Sequence, residues 1–311
     1  MGKEFAMKVL VTGGCGFIGS HITDLLVEQG HSVVIIDNLS TGKMENLNPK
    51  AKLYEMDILS DDIEAVFETE KPEVVYHEAA QIDIQKSIKD TVFDTKVNIL
   101  GTVHLLTVAA KYGIKKFIYA SSAAVYGNPE YLPVDEKHTV APISYYGISK
   151  HTPEHYIAVF ASIHGFDYTV LRYANVFGPR QDPKGEGGVV SIFTDRLLSG
   201  QQPKIFGDGE QTRDFVYVKD IASANVAALT HGNGEIINVS TNIKTSVNDL
   251  FQIMRDISGA SVEADYQPAR VGDIDHSYLD NHKAISLLEW KPAYTVESGV
   301  KETIEYYRGN Y

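Results

Sequence analysis

The sequence predicts an α/β fold in which helices cover both faces of a doubly wound parallel sheet. Short apolar runs alternate with helix-like segments through the first half of the 311-residue chain, a pattern typical of parallel sheets. Hydrophobic residues make up 43% of the chain, enough for a large core. Glycine and proline become frequent from residue 178, which indicates a domain border. We therefore expect a first domain over residues 1–177 and a smaller C-terminal α/β substrate domain over residues 178–311.

The stretch 8–38 predicts a strand, a tight turn, a helix and a second strand. Residues 9–11 are too few and too β-branched for a buried helix. The next residues include four glycines, Gly13, Gly14, Gly16 and Gly19. They fit two dinucleotide-binding spacings, G-x-G-x-x-G counted from Gly14 and G-x-x-G-x-x-G counted from Gly13. A helix that begins there directs free N–H groups at a pyrophosphate, whereas the alternative is a turn that only packs a helix on a sheet.

Asp37 ends the second strand, 18 residues after Gly19. A carboxylate at this place can accept both ribose hydroxyls of an adenosine, and it would repel a 2′-phosphate. The unit 8–38 therefore predicts a Rossmann domain that binds NAD in preference to NADP.

The remaining elements continue the alternation. Strands are predicted at 51–56, 73–77, 116–120, 168–171, 204–206, 215–218 and 236–239, and helices at 61–69, 91–112, 145–164 and 189–198. The strand at 236–239 is expected to rejoin the main sheet. Since ligands bind outside the carboxyl ends of parallel strands, Asp57, 79–81, 121–122 and Arg172 are expected to face one crevice.

Charge and cysteine content limit the classes of partner. The formal net charge is −13 without a run of like charges, which argues against nucleic acid and anionic membranes. Cys15 is the only cysteine, so no intrachain disulfide can form and a reducing, cytoplasmic location is expected. No apolar run approaches the 18 residues of a membrane span, and no signal peptide is recognised.

The predicted helix 91–112 is apolar nearly all round, as expected for a helix buried on both sides. Either the chain's own C-terminal part or a second chain would cover its outer face. We expect a homodimer through helices 91–112 and 145–164.

Tyr146 and Lys150 are four residues apart, hence on one face of a helix. A nearby ammonium favours the phenolate and makes a tyrosine a usable general base. The other Y-x-x-x-K pair, Tyr112 and Lys116, spans a glycine and the start of a strand. Ser122 ends the strand before helix 145–164, where its hydroxyl either meets Tyr146 or caps a turn.

At this point the chain resembles the extended short-chain dehydrogenase/reductase family over nearly its whole length. The segments that carry the resemblance are TGGCGFIGSH at 12–21, DNLSTG at 37–42, DI at 57–58, AAQ at 79–81, SSAAVYG at 121–127, YGISK at 146–150, LRYANVFGPRQ at 171–181, GDGEQTRDFVYVKD at 207–220 and RVGD at 270–273. The nearest members are UDP-hexose 4-epimerases. The resemblance implies an isomerase that holds NAD and epimerises a UDP-hexose at C4 through a 4-keto sugar.

The resemblance also implies the site residues. Tyr146, Lys150 and Ser122 would be catalytic. The cofactor would contact Gly13, Gly16, Phe17, Ile18, Gly19, Asp37, Asn38, Leu39, Ser40, Thr41, Gly42, Asp57, Ile58, Ala79, Ala80, Gln81, Asn98, Tyr146, Lys150 and Val176. The UDP-sugar would contact Ser87, Ser122, Tyr146, Asn175, Val189, Arg213, Arg270 and Ser277. The two arginines would bind the phosphates.

Other positions limit the reaction types and substrates that the resemblance implies. Relatives that dehydrate or decarboxylate sugars carry an acid where this chain has Ala123 and Ala124, which favours simple epimerisation. The small Ser277 leaves room for a 2-acetamido group, so N-acetylated sugars are expected substrates as well. Alternatives are a UDP-glucuronate 4-epimerase, a 4-reductase and a non-catalytic NAD-binding module.

Three features depart from a plain match. Pro153 deletes a helical hydrogen bond near Lys150 and is expected to kink the helix. Ile82 replaces a lysine of some epimerases. His151 and His155 share a helix face, but no third metal ligand is evident, so we expect no metal site.

Overall fold

The structure is a computed structural model that describes residues 6–183, 188–269 and 274–309. The strands are β1 Lys8–Thr12, β2 Ser32–Asp37, β3 Lys52–Glu55, β4 Val74–His77, β5 Lys116–Ser122, β6 Asp167–Tyr173, β7 Asn175–Phe177, β8 Lys204–Phe206, β9 Thr212–Arg213, β10 Phe215–Tyr217, β11 Glu235–Val239, β12 Thr245–Ser246 and β13 Asp265–Gln267. The helices are α1 Phe17–Glu28, α2 Ile63–Glu70, α3 Ile84–Lys89, α4 Thr91–Thr95, α5 Gly101–Lys111, α6 Tyr145–His164, α7 Val189–Leu198, α8 Val218–Ala227, α9 Val247–Ser258, α10 His282–Leu287 and α11 Val296–Arg308.

Seven strands form one parallel sheet in the order β11-β6-β5-β4-β1-β2-β3. From β1 the chain adds β2 and β3 on one side of the sheet, and from β4 it adds β5 and β6 on the other side. This is the doubly wound arrangement predicted from the alternation of elements. Strand β11 pairs with β6, with Ile237 opposite Leu171, so the segment near 236–239 lies in the main sheet. The domain division at residues 177 and 178 stays a prediction.

Alternate residues of each central strand enter two different cores. Val9 and Val11 lie with Ile22 of α1 on one face of the sheet, where Ile221 of α8 also packs. Leu10 lies on the opposite face, in the core formed with α2, α5 and α6. Both faces are therefore apolar and covered by helices, which explains why these strands read as continuous hydrophobic runs.

A third core belongs to the C-terminal half of the chain. Helices α7, α9 and α11 pack together around Phe193, Leu250 and Ile304, and strands β8 and β10 add Ile205 and Phe215. This unit lies beyond the carboxyl ends of the main strands, since partly buried Phe17 and Ile18 at the start of α1 pack against it.

The long helix predicted at 91–112 is not a regular α-helix. Residues Lys96–Leu100 form a π-helical turn between α4 and α5, and the helical segment ends at Lys111. Buried Asn98 lies in this turn, and its side chain hydrogen-bonds the backbone of Gln81 in both directions, at 2.8 and 2.9 Å. The predicted strand 215–218 is also one residue too long, because Val218 begins α8.

Pro153 does not end helix α6, which runs unbroken over Tyr145–His164. The next residue is Glu154, whose carboxylate accepts two hydrogen bonds from Arg172, at 3.0 and 2.6 Å, and one from Ser121. Both charged side chains are less than 5% exposed. This buried ion pair ties α6 to strands β5 and β6.

Across the described ranges 6–183, 188–269 and 274–309, no helix combines the length and apolarity needed to cross a bilayer.

Replacing Glu154 by Ala leaves the Arg172 guanidinium buried without its carboxylate. Because an unpaired buried charge is strongly destabilising, we expect the free energy of unfolding to fall by about 3 kcal/mol or more. Glu263, which pairs with Arg255 at 2.9 Å on the surface, is the control, and Glu263→Ala should cost less than about 1 kcal/mol. Urea denaturation of both variants measures the two values, and equal losses would contradict this role for the buried pair.

Candidate active site

The turn between β1 and α1 is too tight for side chains. Gly13 has a φ of +70°, and a Cβ there would lie 2.9 Å from the backbone nitrogen of Ala79. A Cβ on Gly19 would lie 2.2 Å from the carbonyl oxygen of Gly13. Helix α1 begins after Gly16 without a side-chain cap. Its first N–H groups therefore remain available to an anion.

A pocket lies over this turn, along the carboxyl ends of the strands. This first pocket is lined by Gly13, Gly16, Phe17, Ile18, Gly19, Ile36, Asp37, Asn38, Ser40, Thr41, Gly42, Met56, Asp57, Ile58, Glu78, Ala79, Ala80, Ile82, Val97, Ala120, Ser121, Tyr146, Lys150 and Tyr173. Most residues predicted to bind the cofactor are among them.

Asp37 presents a fixed carboxylate to the first pocket. Its oxygens accept the backbone N–H groups of Cys15 at 2.9 Å and Leu39 at 2.8 Å. A Cβ on Gly42 would lie only 2.7 Å from Asp37 Oδ1. A carboxylate has about four acceptor positions, so Asp37 retains the capacity to accept hydroxyl groups.

Lys150 lies on the first turns of α6 and is 3% exposed. Its ammonium nitrogen lies 4.6 Å over the ring of Tyr119. Burial lowers the pKa of Lys150 to about 8, against the opposing effect of the carboxylates of Glu78, Glu154 and Asp94. The ammonium is therefore poorly solvated, and these carboxylates favour its charged form.

A second pocket adjoins the first. It is lined by Phe17, Ile18, Ile82, Ser121, Ser122, Tyr146, Tyr173, Ala174, Asn175, Val176, Phe177, Gln181, Gly188, Val189, Val190 and Phe215. Tyr146 lines both pockets, whereas Lys150 lines only the first and Ser122 only the second. The tyrosine therefore lies where the two cavities meet.

Helix α6 reaches this position because Gly147 packs closely on the segment after β5. A Cβ on Gly147 would lie 2.6 Å from the carbonyl oxygen of Ala124. Ser144 caps the helix by accepting the N–H of Gly147 at 3.0 Å. Ser122, at the end of β5, accepts the N–H of Ala124 at 3.2 Å. Its hydroxyl thus both caps the turn and lines the second pocket with Tyr146.

Four residues predicted to contact the cofactor do not line the first pocket. Gln81 and Asn98 are buried behind it, and Asn98 also bonds Ser149 Oγ at 2.9 Å. Leu39 has a φ of +54° and packs against the core. Val176 lies in the second pocket instead.

Only some of the residues predicted to bind the sugar nucleotide line the second pocket. Asn175 and Val189 line the second pocket with Ser122 and Tyr146. Ser87 is fully buried, and its hydroxyl donates to the carbonyl of Ile84 at 2.7 Å.

Arg213 and Ser277 line neither pocket. Both hydrogen-bond the carbonyl oxygen of Thr212, from Arg213 Nη1 at 2.8 Å and from the Ser277 N–H at 3.1 Å. They are therefore neighbours of each other in the C-terminal half. Arg270 lies outside the described residues.

Sequence reasoning missed Glu78 and Tyr173, which line the first pocket beside Lys150. The only available signal was position, since Glu78 directly follows β4 and Tyr173 ends β6.

His151 and His155 lie with their ring centroids 4.7 Å apart. Within the described part of the chain, no group of three or more His, Cys, Asp or Glu side chains is arranged to hold a metal ion.

The first pocket fits a dinucleotide. Its glycine turn packs too tightly for a Cβ at Gly13 or Gly19, which brings the start of α1 close to the pocket. That start is uncapped and suits a pyrophosphate. The Asp37 carboxylate at the end of β2 suits ribose hydroxyls. Fold and site together define a dinucleotide-binding α/β protein of the Rossmann type.

The chain belongs to the NAD dependent epimerase/dehydratase family, whose model matches residues 9–240. The UDP-glucose 4-epimerase of Mycolicibacterium smegmatis is 41% identical over 309 residues, which cover 97% of this chain and 99% of that protein. The structure of UDP-glucose 4-epimerase with UDP-glucose from Thermotoga maritima superposes with a TM-score of 0.96 at 48% identity, and the match covers 98% of this chain and 99% of that chain. A UDP-N-acetylglucosamine 4-epimerase from Methanobrevibacter ruminantium, in complex with UDP-N-acetylmuramic acid, gives 0.94 at 36% identity, with coverage of 99% and 100%.

Replacing Gly19 by Ala should prevent the close approach of α1 to the turn. The added Cβ would lie 2.2 Å from a backbone oxygen, whereas nothing lies within 4 Å of a Cβ on Gly309. We expect the dissociation constant for NAD to rise at least tenfold in Gly19→Ala and to stay unchanged in Gly309→Ala. Calorimetric titration measures both constants, and wild-type affinity in Gly19→Ala would contradict the assignment of the turn.

Proposed function

We propose that this protein is a UDP-hexose 4-epimerase, an isomerase that interconverts UDP-glucose and UDP-galactose with NAD as its cofactor. The observation that carries the proposal is the place of Tyr146, which lines both pockets. A tyrosine at the junction can act on a sugar in one cavity while a cofactor occupies the other. The names of the similar proteins support this activity.

NAD would lie in the first pocket, with its pyrophosphate at the glycine turn and its adenosine ribose at Asp37. Asn38, whose amide donates to Asp57 at 2.7 Å, would border the adenosine end. Lys150 would donate to the nicotinamide ribose. When bound, NAD would supply a reversible hydride acceptor for C4 of the sugar.

Tyr146 would accept the proton of the sugar 4-hydroxyl and return it after the 4-keto sugar has rotated to present its opposite face. The nearby Lys150 ammonium favours the phenolate by its charge. Ser122 would donate a hydrogen bond to the reacting oxygen. The apolar lining at Phe17, Ile18 and Phe215 would exclude water from the reacting atoms.

The C-terminal part of the chain, residues 178–311, would bind most of the UDP-sugar. Asn175 and the backbone at Val189 lie in the second pocket and would contact the nucleotide. Arg213 and Arg270 would bind the diphosphate, whereas the buried Ser87 is not placed to contact the sugar.

Ser277 would leave room for a 2-acetamido group, so UDP-N-acetylglucosamine is a further proposed substrate. The similarity to the UDP-N-acetylglucosamine 4-epimerase of Methanobrevibacter ruminantium supports this extension. An undetectable rate of conversion of UDP-N-acetylglucosamine would contradict this proposed substrate.

Substrate identity is tested by incubating the purified protein with UDP-glucose, UDP-galactose, their N-acetyl forms and UDP-glucuronate, without added cofactor. We expect NMR to show conversion of the uncharged hexoses to their 4-epimers. Conversion of UDP-glucuronate alone would favour the glucuronate epimerase. Stoichiometric consumption of added NADH would favour a 4-reductase, and nucleotide binding without turnover would favour a non-catalytic module.

Replacing Tyr146 by Phe removes the proton acceptor but keeps the ring. We expect turnover to fall at least a thousandfold, within the 10²–10⁴-fold range typical of a general acid–base group, while NAD affinity stays within about threefold. The neighbouring Tyr145 is 48% exposed, and Tyr145→Phe serves as the matched control. Near-normal turnover in Tyr146→Phe would contradict the assignment of Tyr146 as the general base.

We further propose that the protein is a cytoplasmic homodimer. Cys15 is buried and forms no disulfide, which suits a reducing compartment. Exposed apolar side chains lie along α4, the π turn and α6, at positions that a second copy could cover: Val92, Phe93, Leu100, Ile148, Val159 and Ile163.

Placing a charge in this apolar surface should separate the subunits. Val159 is 56% exposed on α6, and Ile243, 57% exposed on the loop after β11, is the matched control. We expect Val159→Glu to be a monomer and Ile243→Glu a dimer by size-exclusion chromatography with light scattering. A dimer in both variants would contradict the proposed interface.

A further inference from the structure

Glu78 is an acidic residue in the first pocket to which the proposed mechanism gives no role. It directly follows β4 and precedes the backbone of Ala79 that packs on Gly13. The residue is half-buried, and it lines the pocket together with Lys150 and Tyr173. A bound dinucleotide would therefore enclose a carboxyl group in the same cavity as the ammonium.

A chain of hydrogen bonds holds the Glu78 carboxyl in place. The Tyr173 hydroxyl donates to Glu78 Oε1 at 3.1 Å. The Asn225 side-chain amide donates to the same hydroxyl at 2.7 Å and to the carbonyl oxygen of Ile221 at 2.9 Å. Because Asn225 occupies an acceptor position of the tyrosine oxygen, the hydroxyl proton is directed at Glu78. The arrangement favours the carboxylate form, which accepts that proton.

Three carboxylates act on Lys150, and they differ in what else they bind. Glu154 forms the buried ion pair with Arg172. Asp94 accepts a hydrogen bond from the Gln81 amide at 2.7 Å. Of the three, only Glu78 lines the first pocket. Its negative charge is therefore the one placed to act on both Lys150 and a bound cofactor.

We propose that Glu78 is a positioning residue that sets the charge of the cofactor pocket, keeping Lys150 protonated and favouring oxidised over reduced nicotinamide. The inference rests on the proposed binding of NAD. The oxidised ring carries a positive charge and the reduced ring is neutral, so an anion beside the ring binds the oxidised form more tightly. An epimerase needs its resting cofactor oxidised, which is the state that this charge favours.

The charge of Glu78 should change within the neutral pH range. Burial raises the pKa of Glu78 to about 7, although Lys150 and the Tyr173 hydroxyl favour the ionised form. The protein should therefore prefer NAD⁺ over NADH more strongly as pH rises from 6 to 7.5 and Glu78 loses its proton.

Burial lowers the pKa of Lys150 itself to about 8, so its loss of a proton adds to the rise at the upper end of this range. The other groups that face Glu78 and Lys150 have fixed charge there or can be controlled. Burial raises the pKa values of Tyr76, Tyr119 and Tyr173 well above the usual value, so these stay neutral. Burial and the Lys150 charge lower the pKa of His77 to about 3, so it stays neutral too. Tyr146 also lines the pocket, and the Tyr146→Phe background removes its ionisation.

The test is calorimetric binding of NAD⁺ and NADH to the nucleotide-free full chain at pH 6.0, 6.75 and 7.5, in the Tyr146→Phe background. We expect the ratio of the NADH to the NAD⁺ dissociation constant to rise at least threefold over this range. Adding Glu78→Gln should remove the contribution of this carboxylate, so the ratio at pH 7.5 should fall at least twofold while the ratio at pH 6.0 stays unchanged. The matched control is Glu136→Gln, because burial also raises the pKa of half-buried Glu136 but it lines neither pocket.

Tyr173→Phe keeps the proposal testable if Glu78→Gln does not fold. Loss of the donated hydrogen bond destabilises the carboxylate, so the rise in the ratio should move to higher pH. An unchanged pH dependence in Glu78→Gln, or in Tyr173→Phe where that variant is used, would overturn the inference while leaving the proposed function intact. Failure of the Tyr146→Phe chain to bind either nucleotide would contradict the proposed cofactor site itself.

Discussion

Burial of the Lys150 ammonium is the constraint on which the centre of this protein depends. A charge removed from water is unfavourable unless opposite charges and hydrogen bonds replace the lost solvent. Glu78, Glu154 and Asp94 supply that negative environment. Arg172 in turn binds Glu154, so the network stays close to electrical balance. The ammonium thus remains charged where a phenolate and a ribose would need it.

The irregular backbone behind the site connects the elements that carry its charged groups. The π turn at Lys96–Leu100 carries Asn98 inward, where its amide bonds Gln81 and the hydroxyl of Ser149. These contacts join the segment after β4 to helix α6, one residue before Lys150. Such π turns are frequent at functional sites, and this one fixes the distance between the two elements that carry the pocket's charged groups.

Much of the fold followed from patterns that act locally. The glycine turn, Asp37 and the four-residue spacing of Tyr146 and Lys150 each reflect geometry that neighbouring residues dictate. The structure places Asp37, Tyr146, Lys150 and all of these glycines except Gly14 in the first pocket. The seven-stranded parallel sheet followed from continuous apolar runs. Its edge strand β11 was predicted as well.

Other features depend on contacts that no local pattern contains. The π turn depends on hydrogen bonds to residues far away in the chain, and periodicity alone reads 91–112 as one regular helix. Strands β9 and β12 have two residues each and no period to detect. Glu78 is a single carboxylate after a strand, and only its contact with Tyr173, 95 residues later, gives it a place in the site.

In the proposed reaction, a hydride leaves C4 of the sugar and returns to the same carbon, and Tyr146 accepts and returns only the hydroxyl proton. UDP-glucose deuterated at C4, incubated with the protein in ordinary water, tests this most directly. The account predicts that NMR and mass spectrometry will find the deuterium retained at C4 of the UDP-galactose formed. Replacement of the label by solvent hydrogen would show that C4 loses a proton instead, and would contradict the account.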